Sequence, residues 1–215
     1  MSGFVTELTK DSHAILVAVC QHIGISAAAI ILGILVAVPI GVLLTNHKAA
    51  AKVVLTIFSV VNTIPSIVLL GAAMILLGIG YAPAVAVLFA YSLLPIMRAT
   101  YTGINEVSPK AMKAARGMGM NRLQQLRLVQ LPLALPAIVT GIRLSAIYII
   151  SWATLAAFIG GGGLGDLIWM GLQTYNFNMV LCGAIPATIL SLSVSVLLNL
   201  VIKRVSRHRT EEVAV

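Results

Sequence analysis

The sequence predicts an all-α integral membrane protein with five transmembrane helices. Three observations carry that prediction. Sixty per cent of the 215 residues are hydrophobic and only 9% are charged, where a soluble domain carries about 25% charge. The apolar residues fall into long charge-free runs. The basic residues fall between those runs, and almost all on one side. The interior of a single soluble domain cannot hide so much apolar surface, so composition excludes an ordinary soluble enzyme. It also excludes disorder, which needs low hydrophobicity. Two cysteines are too few for a disulfide scaffold.

A helix crossing the bilayer needs about 20 apolar residues. Residues 23–44 give the first span, without a charge. The charge-free stretch 53–97 is broken by Gly78-Ile79-Gly80-Tyr81-Ala82-Pro83, a turn signal, which yields spans 53–77 and 82–97. Residues 136–159 and 179–202 complete the five. Residues 14–21 read as a short interfacial helix ahead of the first span. Glu7 and Lys10 precede it and no apolar run starts before residue 14, so no cleavable signal peptide is expected. The expected organisation is an N-terminal segment 1–22, one membrane domain 23–202 and a tail 203–215. The domain includes a polar segment 98–131 and a Gly-rich loop 160–178.

Charge sets the orientation. Lys48 and Lys52 follow span one, six basic residues from Arg98 to Arg127 follow span three, and Lys203, Arg204, Arg207 and Arg209 follow span five. These are twelve of the fourteen basic residues; Arg143 lies inside span four and only Lys10 on the other side. The positive-inside rule places the N-terminus outside and the C-terminus in the cytoplasm. The formal charge of +8 is therefore a topology signal, and no nucleic-acid partner is expected.

The absences are equally informative. No aspartate or glutamate lies in a span, which weighs against ion-coupled transport. There is no phosphate loop, and the polar segment is too short for a nucleotide-hydrolysing domain. Gly160-Gly161-Gly162-Gly163-Leu164-Gly165 matches GxGxxG in form, but a membrane helix precedes it rather than a strand. It reads as a flexible outer turn. Leu164, Leu167, Ile168 and Leu172 then follow at helical spacing, giving a short amphipathic helix on the outer surface. The four histidines have no metal spacing, no catalytic set assembles on one side, and Cys20 and Cys182 are expected as buried thiols. No catalytic residue, metal or cofactor is expected in this chain.

The polar segment carries the strongest signal. Ser108 and Pro109 start a helix, Gly117 and Gly119 interrupt it, and Asn121 caps a second helix that Pro132 is expected to end. Two helices meeting at a glycine elbow suit a knob that fits a groove on a partner. Three polar stripes are candidates for a pathway lining: Asn62, Thr63 and Ser66 around the hinge proline Pro65; Ser151 and Thr154 on the side of Arg143; and Thr188, Ser191, Ser195 and Asn199 on one face of span five. Helix–helix hydrogen bonding is the alternative use of each stripe. Tyr148 and Trp152, four apart, offer an aromatic surface or simple packing.

Ala114-Ala115, Gly119 and Val129-Gln130-Leu131-Pro132 stand at the spacing of the EAA signature, E-A-A, three residues, G, nine residues, I-x-L-P. The chain thus resembles the membrane subunits of ABC importers. Lys113 replaces the usual glutamate, so the carboxylate that would bridge from that position to the ATPase is missing. Asn62-Thr63-Ile64-Pro65-Ser66, Trp152-Ala153-Thr154-Leu155-Ala156 and the Gly162-to-Ile168 segment extend the resemblance to permeases for glycine betaine, carnitine and choline. Methionine-importer permeases share the plan and a related loop and remain the alternative.

The resemblance implies a type I, methionine-permease-like importer fold in the bacterial cytoplasmic membrane. It implies two ATPase subunits holding ATP and Mg, a second permease chain as homo- or heterodimer, and an extracellular binding protein that sets substrate choice. It implies ATPase coupling through Lys113, Ala114, Ala115, Arg116, Gly117, Met118, Gly119, Met120 and Asn121, with Leu131 and Pro132. Asn62, Thr63, Pro65, Ser66, Ser151, Trp152, Thr154, Ser191 and Ser195 would line the pathway. Gly162, Gly163, Gly165 and Asp166 would dock the binding protein.

Overall fold

The computed structural model describes the backbone of residues 12–213 and the side chains through Arg204. Glu7, Lys10, Asp11 and the side chains of Arg207, Arg209, Glu211 and Glu212 lie outside that range. Every regular element among the described residues is helical. In order they are α1 Ser12–Leu44, α2 Lys48–Thr63, α3 Ser66–Leu77, α4 Tyr81–Asn105, α5 Pro109–Gly117, α6 Arg122–Gln124, α7 Leu131–Ala153, α8 Leu164–Gln173 and α9 Phe177–Val213. A π-helical stretch, Gln125–Gln130, joins α6 to α7, and a 3₁₀ stretch, Thr154–Ile159, extends α7.

Four helices or helical runs are long and apolar enough to cross a membrane. The second predicted span, 53–77, is not one helix. It divides into α2 and α3, which meet at 94°. Pro65 has no N–H to continue the ladder, and it drives Ile64 before it into extended backbone, ψ 132°. Residues 14–21 are not a separate interfacial helix either; they run straight into the first span as α1.

α4 is the central helix, packed against α1 on one side and α7 on another. The approach is close because small residues line the seams. Ala29, Gly33, Ala37 and Gly41 recur every fourth residue on α1 and are all buried. A Cβ at Gly33 would collide with Ser92 Oγ, and one at Gly41 would lie 2.7 Å from Thr100 Cβ. On the other seam, a Cβ at Gly103 would lie 2.7 Å from Ala137 Cβ. Such small-residue stripes let backbones approach where no water drives association. His22, fully buried, fastens α1 to α7 through its Nε2–H, which donates to the Ile150 carbonyl at 3.0 Å.

The helices alternate in direction, so the bundle has two distinct ends. Gly24, Tyr81, Ile159 and the Gly-rich loop gather at one, where the Tyr81 hydroxyl donates to the Gly24 carbonyl and Gly80 N–H to Ile159. The elbow of α5 and α6 lies at the other. Lys48, Lys52, Arg98, Lys203 and Arg204 all fall toward the elbow end of their helices.

Overpacking a tight seam costs about 1–3 kcal/mol. Gly33→Val is therefore expected to lower the thermal midpoint of the detergent-solubilised protein by roughly 2–10 °C. A Cβ at Gly71 meets nothing within 4 Å, so Gly71→Ala is expected to leave the midpoint unchanged or slightly raised. Thermal unfolding followed by circular dichroism measures both.

Candidate coupling and translocation sites

The elbow is built from complete caps. Ser108 accepts from Lys110 N–H at 3.3 Å and Pro109 occupies the first turn of α5. At the other end Met120 N–H bonds Ala115 O and Gly119 N–H bonds Arg116 O, with Gly119 left-handed at φ +76°. This is a Schellman cap, and its left-handed position is the reason for the glycine. Asn121 and Gln124 then form a reciprocal capping box, 2.8 and 2.9 Å. Gln125 Nε2 closes the corner on Met120 O. The elbow is thus stiff without being buried. Ala115 alone is buried; Met120 is half-buried, while Lys113, Ala114, Arg116, Gly117, Met118, Gly119 and Asn121 are exposed. Met118 at 67% and Leu123 at 53% exposure leave apolar surface among basic residues, the character of a docking knob.

Pro132 does not end the second helix. Leu131 N–H reaches back five residues to Leu126 O, and the helix continues through Pro132 and Pro136 into α7. The wider π register shifts hydrogen-bond partners by one residue and absorbs the N–H that proline lacks. Leu131 is half-buried and Pro132 exposed. Leu126 and Leu131 pack with Ile104, Ala134 and Ile138, tying the elbow to α4 and α7.

The break between α2 and α3 is held from the side. Ile64 carbonyl accepts the Tyr91 hydroxyl. Tyr91 meets Trp152 edge-on at 4.8 Å, and Trp152 stacks on Tyr148 at 5.5 Å with a 21° tilt. One chain of contacts thus links the break to α4 and α7. Asn62 and Ser66 are half-buried beside it, and Thr63 and Pro65 exposed. Asn62 Nδ2 and the Thr63 hydroxyl return to Phe58 and Val60 carbonyls of their own helix.

Two open clefts lie on this face. The larger, ≈ 470 Å³, is lined by Asn62, Arg98, Thr102, Thr140 and Tyr148 among others. The smaller, ≈ 330 Å³, is lined by Lys52, Thr56, Ser59, Thr63 and Arg98. Sequence reasoning had not placed Arg98, Thr102 or Thr140 here. Thr140, Leu144, Tyr148 and Ser151 fall at i, i+4, i+8 and i+11, a stripe that was readable, while Arg98 had been counted only as a topology charge. Ser151 is exposed on that stripe, and Thr154, half-buried, donates to Ser151 O at 2.7 Å.

The α9 stripe goes elsewhere. Ser195 Oγ accepts from Arg143 Nε at 3.1 Å. Ser191 is half-buried on the same helix. α9 meets the face of α7 bearing Ile142, Ala146 and Ile150, nearly opposite the cleft face. Arg143 thus reaches α9 through Ser195, while Ser151 lies exposed on the stripe that continues the cleft lining.

The Gly-rich loop is packed, not a free turn. Gly163 N–H donates to Gln21 Oε1 at 3.1 Å, and a Cβ at Gly163 would lie 3.1 Å from His22 Nδ1. Gly163 and Gly165 are buried, Gly162 and Asp166 half-buried. A Cβ at Gly165 would collide with the Thr154 carbonyl, so α8 lies against the end of α7 rather than loosely on a surface. Burial pushes the Asp166 carboxyl above its ordinary range. Cys182 is buried as expected, whereas Cys20 is exposed. No cluster of three metal-ligating side chains occurs among the described residues.

The sequence profile of the binding-protein-dependent transport system inner membrane component matches residues 24–210. The choline transport system permease protein OpuBB of Bacillus subtilis (strain 168) is 47% identical over 198 residues, covering 92% of this chain and 91% of that protein. The glycine betaine/carnitine/choline transport system permease protein OpuCB of the same organism is 45% identical, covering 96% and 95%. An inward-facing form of the MetNI methionine ABC transporter shares the fold, with TM-score 0.79 at 23% identity over 89% of this chain and 96% of that one. The match to that architecture, and to relatives that are transport permeases over nearly their whole length, agrees with a bundle that carries an exposed elbow. The chain belongs to the family of binding-protein-dependent transport system inner membrane components, multi-pass permease subunits of ABC transporters.

Proposed function

We propose that this chain is the permease subunit of an ATP-driven importer of quaternary ammonium osmoprotectants, the class named for its relatives from Bacillus subtilis. One observation carries the mechanical part of the reading. From the Asn121 cap to Ala153 the helix is continuous, so the elbow and the cleft-lining residues Thr140 and Tyr148 sit on one lever. An ATPase that moves the elbow moves the cleft wall. Alternating access follows when two such permeases face one another across their clefts, above two ATPase subunits that hold ATP and Mg. The N-terminus and the Gly-rich loop then face outside, the elbow and the tail the cytoplasm. The binding protein docks at the loop end, where Gly162 and Asp166 meet the surface and Gly163 and Gly165 shape the backbone beneath them. Asn62, Thr63, Pro65, Ser66, Ser151, Trp152 and Thr154 belong to the pathway side. Ser195 serves the α7–α9 contact instead, and Ser191 lies one turn before it on α9.

A side chain at position 119 meets nothing within 4 Å in this chain, and the left-handed backbone costs it about 1–2 kcal/mol. Gly119→Asp is therefore expected to insert into the membrane normally and to lose ATP-driven uptake by more than about tenfold. Uptake at the parental rate in vesicles would overturn the coupling assignment. The pathway is tested by thiol labelling in a Cys20→Ser, Cys182→Ser background. Cysteines at 62, 66 and 151 are expected to react with a water-soluble maleimide in at least one nucleotide state, and a cysteine at 195 in none. The reverse pattern would move the pathway to α9.

A further inference from the structure

The larger cleft poses a chemical problem. If the reading above holds, a permanently charged ammonium passes a chain whose six carboxylates all lie outside the spans. A fully substituted ammonium has no N–H to donate, so carbonyls and hydroxyls hold it weakly. The polar lining offers lone pairs but no carboxylate. Thr102 and Thr140 hydroxyls donate to the Arg98 and Pro136 carbonyls, and Asn62 Nδ2 to Phe58. What remains for a soft cation is a ring face, which attracts it by about 0.5–2 kcal/mol.

Such a face is present and held in place. Tyr148 lines the cleft at 41% exposure. Trp152 stacks on one side of it, and Tyr91 braces Trp152 edge-on. Tyr91 is itself buried and bonded to the Ile64 carbonyl. Arg98, the cation in the same lining, repels an ammonium and attracts a carboxylate. The cleft volume of ≈ 470 Å³ lies within the usual range of small-molecule sites, about 300–1,000 Å³.

We propose that Tyr148, backed by Trp152, and Arg98 form a two-ended transit station in this cleft, the ring taking the quaternary ammonium and the guanidinium the carboxylate of zwitterionic substrates. The proposal rests on the substrate class given above. Choline, which has no carboxylate, uses only the ring end. Weak binding suits the task, because a passing solute must leave as readily as it enters.

The test uses the complete complex in proteoliposomes, with its ATPase and binding protein, and labelled choline and glycine betaine. Tyr148→Leu is expected to cut maximal uptake of both by about three- to tenfold while binding-protein-stimulated ATP hydrolysis persists. Tyr148→Phe, which keeps the ring, is expected to transport near the parental rate. Arg98→Gln is expected to lower the ratio of glycine betaine to choline uptake by about fivefold. That ratio is read within one preparation, so poor assembly of a variant does not obscure it. Equal uptake by the Leu and Phe variants, or an unchanged ratio in Arg98→Gln, overturns the station and leaves the importer reading intact. Uptake of methionine and of neither ammonium by the parental complex brings down the substrate reading and the station with it.

Discussion

The structure depends on how closely α4 can approach α1 and α7. In a bilayer the lipid tails are as apolar as leucine, so helices associate through packing and hydrogen bonds rather than by escaping water. Ala29, Gly33, Ala37 and Gly41 remove side chains from one seam, and Gly103 and Gly141 from the other. With two faces of α4 taken by these contacts, the remaining face carries Leu94, Pro95, Arg98 and Thr102 into the open cleft. The packing of small residues thus decides which polar groups are left for function. Ser92 and Thr100 are buried at the first seam with hydroxyls bonded to Phe89 and Ile96 carbonyls, so they do not compete for that role.

Proline shows how one residue type reaches different ends. At Pro65 the helix breaks by 94°, and the exposed Ile64 carbonyl is taken up by Tyr91. At Pro132 the helix widens into a π turn and goes on. At Pro136 it continues, and the Thr140 hydroxyl bonds the Pro136 carbonyl. The difference lies in what surrounds each proline. Pro65 turns Ile64 out of the helix, and the Ile64 carbonyl so freed meets a tyrosine hydroxyl from α4. Pro132 follows a capped, stiff elbow packed through Leu126 and Leu131, where a small register shift disturbs less than a break.

This explains what the sequence disclosed and what it withheld. The elbow was legible in detail, because Ser108, Gly119 and Asn121 act on backbone groups one to five residues away. The gathering of basic residues at one end was legible because it is a matter of counting. The break angle, the π turn and the joining of residues 14–21 to the first span depend on neighbours distant in the chain. The face that each polar stripe turns to was not legible, for a different reason. Periodicity says which residues share a face, but in a membrane helix the lipid face and the protein face are both apolar, so it does not say which face meets what. Ser195 and Ser151 had equal claims until Arg143 proved to reach for the first.

The same division of rigid and open parts bears on specificity. The elbow has its caps satisfied and one buried anchor, Ala115, so its shape is fixed locally. The cleft offers one ring face, one guanidinium and hydroxyls already bonded to their own helices. Contacts of that kind at an open cleft are individually worth about 0.5–2 kcal/mol. They can orient a solute but not choose it from a mixture, since discrimination by a factor of a thousand needs about 4 kcal/mol. On the importer reading proposed above, a permease built this way receives its substrate already selected. Choice then falls to the extracellular partner, and what is left to these helices is to admit, turn and release.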